Sequence, residues 1–467
     1  MTLFRTGDPR PIHFMGIAGA GMSALALIAR HRGVAINGCD SDTSGSGADD
    51  LTALGVPVVR GHSPSHLDGV RAVVVTAAVP RDHPELERAR ALNLPIIRRA
   101  DALGELVSRG SLVAVAGTHG KTTTTVMVTE ALAAAGRTPT GLAGGRVAAW
   151  GGNARLGGED LFVVEADEYD QAFLSLHPTV AVVNNVEADH LECYGSVAAL
   201  EAAFAEFAGR AQRVIVGADD AGADRVALAV RVPVWRVGIG ATADVRIRAV
   251  RLEPGGSRAS VGLPGRDTIE LRLAVPGMHN VRNAAAALAA LHALGANVQA
   301  GADALAEFRG VGRRFERLGD ARGVTVVDDY AHHPTEVAAT LAASRQAFPG
   351  RRVIAVFQPH LYSRTALHGE ALGTALAAAD LVVVAPIYGA REQPLAGVTH
   401  HLVVRGATRA GAATVAVRDR AGLTAHVARA VREGDVVFTL GAGDVTRVGP
   451  ELLEILRTGS REQGAVA

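Results

Sequence analysis

Short runs of apolar, mostly β-branched residues alternate along the whole chain with longer stretches rich in Ala and Leu. Runs of this length predict buried strands, and the Ala/Leu-rich stretches predict the helices that cover them, a pattern typical of parallel α/β domains. Strands are predicted at residues 12–17, 34–40, 72–76, 111–118, 161–167, 179–185, 213–219, 324–330, 351–357, 381–387 and 435–443.

The runs fall into three blocks, each long enough to bury its own core. We expect a Rossmann-like domain at 1–108, a central domain with a parallel sheet and a phosphate-binding loop at 109–311, and a second Rossmann-like domain at 312–467. Residues from about 240 to 275 alternate more strongly and contain several Pro and Gly. This stretch predicts an antiparallel hairpin region inserted in the central block.

Composition narrows the class of protein. The chain has 467 residues, of which 48% are hydrophobic and 20% charged, as in globular proteins. Its 47 basic and 47 acidic side chains cancel, which argues against a nucleic-acid binder. The chain shows no signal peptide and no uncharged apolar run of about 18 residues, so we expect a cytoplasmic protein without a membrane partner. Cys39 and Cys193 are too few for a disulfide framework or a CxxC-type zinc site.

The segment VAVAGTHGKTTTT (113–125) is the strongest local signal. An apolar strand, a tight glycine-containing turn and a helix that opens with Lys121 predict a phosphate-binding loop, because turn amides and helix N-termini attract anions. Lys121 would reach the β- and γ-phosphates of ATP, and Thr122 would offer its hydroxyl to Mg²⁺. The usual G-x-x-x-x-G-K-[ST] spacing would need Gly where the chain has Val115. Lys121 is also the only lysine among the 47 basic residues.

A second glycine turn, GIAGAGMS (16–23), follows the first predicted strand. Compared with the dinucleotide pattern G-x-G-x-x-G, its middle position is Ala18, and Asp40 ends the next strand, where a ribose-binding carboxylate often sits. The turn therefore predicts a nucleotide that contains a diphosphate. An NAD-dependent oxidoreductase is the alternative from another class of enzyme. It would leave the phosphate loop without a purpose, since hydride transfer needs no ATP.

Carboxylates and histidines follow several predicted strands. Glu165 and Asp167 end one strand of the central block, and Asn184, Asp189 and His190 follow the next. Two such strand ends after one phosphate loop predict an Mg²⁺ site. Histidine is a less usual Mg²⁺ ligand and better suits a site that also accepts Mn²⁺.

Two segments of the third block, DDYAHHPTE (328–336) and FQPHLYSRT (357–365), also follow apolar strands. We expect them to face a polar ligand at one sheet edge. Their candidate residues are Asp329, Tyr330, His332, His333, His360 and Arg364. In GRRFE (312–316), Arg313 and Arg314 are candidates to anchor an anionic substrate.

The chain resembles the Mur ligases in eight motifs that cover almost its whole length. In chain order they are GIAGAGMS, GTHGKTTTT, EADEYD, EADH, HNVRNAAAA, RRFE, DDYAHHPTE and FQPHLYSRT. The resemblance implies a UDP-binding N-terminal domain, a central ATPase domain and a C-terminal domain that closes over them. It also implies ATP and Mg²⁺ as cofactors, and UDP-N-acetylmuramate and L-alanine as substrates. The muramoyl carboxylate would be activated as an acyl phosphate and joined to alanine in peptidoglycan synthesis.

Site residues follow from the resemblance motif by motif. ATP binding is implied for Gly117, Thr118, His119, Gly120, Lys121, Thr122, Thr123, Asn280 and Asn283. Binding of the UDP substrate is implied for Gly16, Gly19, Gly21, Met22, Ser23, Asp40 and Arg314. The implied metal ligands are Thr122, Glu165 and His190, and the implied catalytic residues are Lys121, His190, His333, His360 and Arg364.

The chain departs from the family pattern at Ala18, where Gly is common, and at Leu361, where many members have Arg. A rival within the family is the recycling ligase that attaches a whole tripeptide to UDP-N-acetylmuramate. It resembles the chain at EADEYD and around the third-block histidines, whereas FQPHLYSRT favours L-alanine. Mur ligases that act later in the pathway use a carbamylated lysine as a metal ligand. No lysine follows Lys121, so we expect no carbamate here.

Overall fold

Three β-sheets, each accompanied by helices, form the part of the chain that the computed structural model describes, which is residues 3–76, 78–390 and 392–464. The predicted α/β fold class is confirmed. Among the described helices, none is both long and apolar enough to cross a membrane.

The first sheet is parallel throughout and has the order β3-β2-β1-β4-β5. Its strands are β1 (Ile12–Met15), β2 (Ile36–Asp40), β3 (Val58–Arg60), β4 (Ala72–Val75) and β5 (Ile96–Arg98). Its helices are α1 (Ala20–His31), α2 (Ser46–Ala53), α3 (Pro84–Ala91) and α4 (Arg99–Val107), and a 3-10 turn spans Pro64–Leu67. The three strands predicted here are confirmed, each at most two residues shorter at one end. β3 and β5 were not predicted, because they are three residues long and partly exposed.

The second sheet has ten strands in the order β15-β14-β13-β12-β11-β10-β6-β9-β7-β8. The strands are β6 (Ser111–Ala116), β7 (Thr140–Val147), β8 (Gly152–Arg155), β9 (Leu161–Glu165), β10 (Val180–Val183), β11 (Arg213–Gly217), β12 (Val234–Gly238), β13 (Val245–Glu253), β14 (Gly256–Gly262) and β15 (Ile269–Leu273). Helices are α5 (Lys121–Ala134), α6 (Leu191–Tyr194), α7 (Val197–Gly209), α8 (Ala221–Ala229), α9 (Met278–Ala293) and α10 (Val298–Leu305). Short 3-10 helices span Ala148–Trp150 and Tyr169–Ser175.

Strands β6, β9 and β10 lie next to one another in the middle of this sheet and pair in parallel. They are almost entirely buried, as expected for parallel strands covered on both faces. The region predicted at 240–275 as a hairpin contains strands β13, β14 and β15, which belong to the central sheet. β13 pairs in parallel with β12, and β14 and β15 extend the same sheet at its edge. Only two residues join β13 to β14, a connection that antiparallel strands allow.

The third sheet has the order β16-β17-β21-β18-β19-β20 and is parallel except for β16. Its strands are β16 (Glu316–Ala321), β17 (Val324–Asp329), β18 (Val353–Phe357), β19 (Leu381–Val384), β20 (Thr414–Ala416) and β21 (Val436–Leu440). Its helices are α11 (Pro334–Ala347), α12 (Tyr362–Leu376), α13 (His401–Arg409), α14 (Leu423–Ala430) and α15 (Val448–Gly464), with a 3-10 turn at Asp444–Arg447. Alternate residues of β18 enter two different apolar clusters, so helices cover both faces.

The described backbone divides into two compact units. The first holds residues up to 250 with 259–272 and 282–308, and the second holds 251–258, 273–281 and the chain from 309 onwards. One apolar core continues from the first sheet into the second within the first unit. The domain limits at 108 and 311 lie between α4 and β6 and between α10 and β16, and they stay a prediction.

Candidate active site

The phosphate loop lies where β6 ends and α5 begins, as predicted. Its two glycines adopt left-handed backbone conformations, with φ of 132° at Gly117 and 77° at Gly120. A Cβ at Gly117 would lie 3.0 Å from the backbone nitrogen of Asn184, and one at Gly120 would lie 2.7 Å from Oδ1 of Asn283. Conformation and space therefore both require glycine at these two positions.

The segment after β10 supports the loop from behind. Asn185 accepts the backbone N–H of Thr118 at 3.1 Å with its carbonyl and that of His119 at 2.7 Å with Oδ1. Glu187 contacts Nε2 of His119 at 3.0 Å. The amides of Thr118 and His119 are thus already used, whereas the first amides of α5 have no intrahelical partner. The first amides of α5 are therefore the ones available to an anion in this structure, and ATP binding by the loop residues stays a prediction.

Lys121 folds back over the loop. Its Nζ donates to the carbonyls of Gly117 at 2.7 Å and Thr118 at 3.3 Å, and to Oε1 of Glu168 at 2.8 Å. Burial acts to lower the pKa of Lys121, but the nearby carboxylates of Glu168 and Asp167 outweigh it and raise that pKa. The lysine is therefore held as a cation.

Glu168 is a neighbour of the phosphate loop that sequence reasoning missed. It stands in the EADEYD motif with Glu165 and Asp167, but unlike a surface carboxylate it is buried, with a side chain 2% exposed. The available signal was the lone lysine, because an ammonium that is largely shielded from water needs an anion beside it.

Glu165 and Thr122 meet as the metal prediction requires. The hydroxyl of Thr122 donates to Oε1 of Glu165 at 3.0 Å, and the backbone N–H of Gly144 donates to Oε2 at 2.5 Å. Gly144 lies on β7, and a Cβ there would come within 2.7 Å of the same carboxylate. Two oxygen atoms that could bind a metal ion, one from each residue, therefore lie together at the start of α5.

His190 lies close to the segment that follows β9. Its backbone is left-handed, with φ of 52°, and its ring meets the ring of Tyr169 edge-on with centroids 5.2 Å apart. Asp189 and Glu192 lie 3.7 and 3.4 Å from its ring nitrogens. The hydroxyl of Tyr194 donates to the carbonyl of Glu168. The chain after β10 thus packs on the chain after β9, which carries the predicted carboxylates.

Asn280 and Asn283 share helix α9 but have different surroundings. Asn283 belongs to the first unit and lies against Gly120 of the phosphate loop. Asn280 is grouped with the second unit, where its Nδ2 donates to the carbonyl of Pro276 at 2.7 Å. Only Asn283 is placed beside the phosphate loop by the contacts described here.

The first glycine turn joins β1 to α1. The N–H groups of Gly16 and Ile17 donate to the carbonyl of Cys39, and the N–H of Ala18 donates to Oδ2 of Asp40 at 2.9 Å. Asp40 thus closes the turn as well as facing its opening. A Cβ at Gly21 would lie 2.9 Å from Nη1 of Arg99, a guanidinium that sequence reasoning missed.

Met22 and Ser23 were predicted to bind the UDP substrate, but their side chains point into the interior. Both are buried, Met22 within the apolar core of the first unit. Ser23 donates its hydroxyl to the carbonyl of Ala20, and its N–H to that of Gly19. Their side chains therefore build the turn, and any contact of these residues with substrate stays a prediction.

In the second unit, Arg313 and Arg314 both lie over the ring of Tyr330, at 4.9 and 5.0 Å from its centroid. Arg313 is tied to Asp328 at 3.0 Å, whereas Arg314 has a looser contact of 3.8 Å with Glu336. Burial raises the pKa of Asp329 to about 6, an effect that Arg314 opposes. Of the two arginines, Arg314 has the longer ion-pair distance to its carboxylate partner.

The third-block residues form two groups. Nδ1 of His333 accepts the N–H of Thr335 and caps α11, with Glu336 completing a capping box. His360 stacks on Tyr388 with centroids 5.8 Å apart, and its Nδ1 lies 3.4 Å from Nη1 of the buried Arg364. The ring centroid of His332 lies 6.4 Å from that of His360. His332, His360 and Arg364 thus lie near one another, as predicted for this sheet edge, whereas His333 caps α11.

Three family models match the chain in order. They are described as Mur ligase family, catalytic domain (residues 11–110), Mur ligase middle domain (115–291) and Mur ligase, glutamate ligase domain (313–443). Proteins named UDP-N-acetylmuramate–L-alanine ligase from Thermobifida fusca and Kineococcus radiotolerans are 44% and 46% identical, each over 95% of this chain and 96% of the relative.

Solved structures show the same likeness. The UDP-N-acetylmuramate-alanine ligase of Thermotoga maritima is 29% identical, with a TM-score of 0.80 over 96% of this chain and 99% of that one. A murein peptide ligase from Psychrobacter arcticus is 26% identical, with a TM-score of 0.72 over 96% and 98%. The chain belongs to the Mur ligase family.

Proposed function

We propose that the chain is an ATP-dependent ligase that joins L-alanine to the muramoyl carboxylate of UDP-N-acetylmuramate, in peptidoglycan synthesis. The observation that carries this is a glycine-lined phosphate loop whose only lysine is partly buried and paired with the buried carboxylate of Glu168, in a chain 44% identical to a protein named UDP-N-acetylmuramate–L-alanine ligase. The proposal includes a cytoplasmic location and domain limits at 1–108, 109–311 and 312–467.

The first step is phosphoryl transfer. A carboxylate oxygen of the muramoyl group attacks the γ-phosphorus of ATP, the bond to the bridging oxygen breaks, and ADP leaves. Lys121 and the first amides of α5 stabilise charge on the transferring group. Before ATP binds, Glu168 holds the ammonium in the loop at 2.8 Å, and the phosphates take over part of this contact. The resulting acyl phosphate is a far better electrophile than the carboxylate.

The second step forms the amide. The amine of alanine attacks the acyl carbon, inorganic phosphate leaves, and a base accepts the ammonium proton. Candidates by residue type are His190, His332, His333 and His360. Of these, His333 has one ring nitrogen committed to the start of α11. We propose that His360 and Arg364 belong to the pocket that binds the amino acid.

A magnesium ion fits the oxygen donors beside the phosphate loop. The hydroxyl of Thr122 and the carboxylate of Glu165 are 3.0 Å apart, and Mg²⁺ prefers a few such ligands completed by waters and phosphates. Bound there, the ion would offset the negative charge of the phosphates. We assign His190 to a second metal position, where its nitrogen suits Mn²⁺ as well.

The first glycine turn is proposed to bind the UDP moiety. Gly16 and Gly19 precede α1 and Gly21 lies in its first turn, where the helix N-terminus favours a diphosphate, and Arg99 lies against Gly21. We expect the carboxylate of Asp40 to accept a hydrogen bond from a ribose hydroxyl. It already accepts one from the N–H of Ala18. Arg314 is proposed to meet an anionic group of the same substrate.

The deciding experiment measures phosphate release from ATP with each substrate omitted in turn. Release should require both UDP-N-acetylmuramate and L-alanine. Replacing L-alanine by the tripeptide L-alanyl-γ-D-glutamyl-meso-diaminopimelate should give much weaker turnover. Stronger turnover with the tripeptide would assign the chain to recycling instead, and NAD(P)H oxidation without any ATP requirement would refute the ligase proposal.

A further inference from the structure

A compact group of metal-ligating side chains lies in the first sheet, on the face covered by α3. It consists of His13 on β1, Cys39 on β2, His66 in the 3-10 turn and Glu85 on α3, and we call it the His13 cluster. One potential ligand atom from each residue lies within 4.8 Å of all the others. None of the four has a part in the proposed ligase reaction.

Three distances within the cluster can be compared with those of a coordination shell, and two of them match it. Nε2 of His13 is 3.3 Å from Sγ of Cys39, which is 3.4 Å from Oε2 of Glu85. Nδ1 of His66 is 2.9 Å from Oε1 of Glu85. Ligands around a tetrahedral zinc ion, with bonds of about 2.0–2.3 Å, lie roughly 3.3–3.7 Å from one another. Little movement is needed to place one ion among the four.

Burial makes the cluster hard to explain as ordinary surface chemistry. His13, Cys39 and Glu85 are all buried, next to an apolar cluster that includes Met15, Leu67 and Leu86. One thiol proton can serve only one acceptor, yet Sγ of Cys39 lies within 3.5 Å of His13, His62 and Glu85. Buried lone pairs without protons between them are costly, and a cation satisfies several at once.

A neighbour orients His13 as a metal ligand. Its Nδ1 lies 3.0 Å from Oδ1 of Asn37, an oxygen that can only accept, so Nδ1 carries the proton and Nε2 presents a lone pair to the cluster. Metal-bound histidines usually have such a partner on the other ring nitrogen. Glu85 is fixed similarly, since Oε1 accepts the N–H of Ser63 at 2.8 Å.

Cys39 would bind the metal as a thiolate, so formation of the bond between the metal and Sγ of Cys39 releases the thiol proton to solvent.

We propose that His13, Cys39, His66 and Glu85 bind one structural Zn²⁺ ion, with Asn37 as the positioning residue for His13. A thiolate, two imidazoles and a carboxylate suit zinc, whereas Mg²⁺ prefers oxygen ligands alone. His62 lies 3.2 Å from Sγ on the outer side, and His83 is occupied in capping α3. The ion would fix β2 at Cys39, whose carbonyl accepts the N–H groups of Gly16 and Ile17 in the glycine turn.

The test uses full-length, tag-free protein stripped with a chelator, and none of its measurements involves ligase turnover. Titration with Zn²⁺ against a chromophoric chelator should show one tight equivalent that excess Mg²⁺ does not displace. Loading with Co²⁺ should give the visible bands of a tetrahedral site and a thiolate-to-cobalt charge-transfer band. Cys39→Ser should remove that band, and Cys193→Ser, which changes the only other cysteine, should keep it.

Two further variants guard against misfolding of Cys39→Ser. His66→Gln alters a partly exposed ligand and should weaken Zn²⁺ binding by about a hundredfold or more, while His31→Gln on the exposed end of α1 should not change it. Asn37→Ala should weaken binding by about ten- to a hundredfold. A protein that binds no tight zinc equivalent, a cobalt band that survives Cys39→Ser, or equal affinity in His66→Gln and His31→Gln would overturn the proposal.

Discussion

The two glycine turns of the first unit use the same backbone device in different electrostatic settings. Each follows a buried parallel strand, leads into a helix, and contains a glycine with φ of 77°, Gly16 in the first turn and Gly120 in the second. At the first, the nearby charged groups are Asp40 and Arg99. At the second, the partly buried Lys121 forms an ion pair with Glu168, and Glu165 lies beside Thr122.

The difference shows which part of such a site selects the ligand. Helix amides attract any phosphate, so the backbone alone does not separate a nucleotide diphosphate from a triphosphate. A fixed ammonium and a pair of oxygen donors suit a reacting γ-phosphoryl group, because its charge changes during transfer. Among the described residues around the first turn we find neither feature, which agrees with a turn that only binds.

The largest expected effect comes from Lys121→Arg. Nζ of Lys121 sits among three oxygen acceptors within 3.3 Å, a space too small for a planar guanidinium. We expect kcat to fall by about a hundredfold or more, the scale seen when one transition-state donor is lost. Steady-state kinetics with a folding check by circular dichroism measures this. Arg137→Lys, an exchange on the exposed chain after α5, serves as the control and should leave kcat near normal.

A kcat for Lys121→Arg close to that of the control would mean that Lys121 is not the phosphate lysine. The contrast between the two turns would then lose its main support.

The next effect compares Gly120→Ala with Gly16→Ala. Both substitutions place a Cβ at φ of 77°, which costs about 1–2 kcal/mol of unfolding free energy. At Gly16 the atom nearest to the new Cβ is Cγ2 of Thr76 at 3.3 Å, whereas at Gly120 it is Oδ1 of Asn283 at 2.7 Å. We therefore expect Gly120→Ala to be the less stable variant in urea unfolding, and to raise KM for ATP.

Gly16→Ala should instead raise KM for UDP-N-acetylmuramate while leaving KM for ATP unchanged. Both variants raising the same KM would break the assignment of one nucleotide to each turn.

We expect a smaller effect for Glu165→Ala, limited to the Mg²⁺ dependence of activity. Loss of a partner that merely orients a ligand weakens metal binding by about ten- to a hundredfold, and loss of the ligand itself should cost at least as much. The Mg²⁺ concentration for half-maximal activity should rise accordingly, with kcat partly recovered at saturating Mg²⁺. Glu206→Ala, on the exposed side of α7, is the matched control. An unchanged Mg²⁺ dependence in Glu165→Ala would remove Glu165 from the ligands.

The sequence was sufficient to predict the central strands and both turns, because continuous apolar runs and glycine spacing are local signals. β3, β5 and β20 are short and partly exposed, so no such run marks them. Glu168 and Arg99 were missed for a different reason. Their positions depend on how distant segments pack, since Glu168 is 47 residues from the lysine it holds. The His13 cluster likewise joins residues from four elements with no shared spacing.

For bicarbonate we expect no effect on activity. A carbamate forms when a neutral lysine amine reacts with CO₂, and Lys121 is the only lysine of the chain. Its neighbours keep it charged, because Glu168 and Asp167 outweigh burial and raise its pKa. A carbamate there would also set a negative group 2.8 Å from the buried carboxylate of Glu168 and beside the site proposed for the ATP phosphates. Activity of a CO₂-depleted preparation should therefore not change when bicarbonate is added, and intact mass should show no carbamate adduct. Rescue by bicarbonate would mean that Lys121 is a metal ligand, and the phosphate loop would then need another cation.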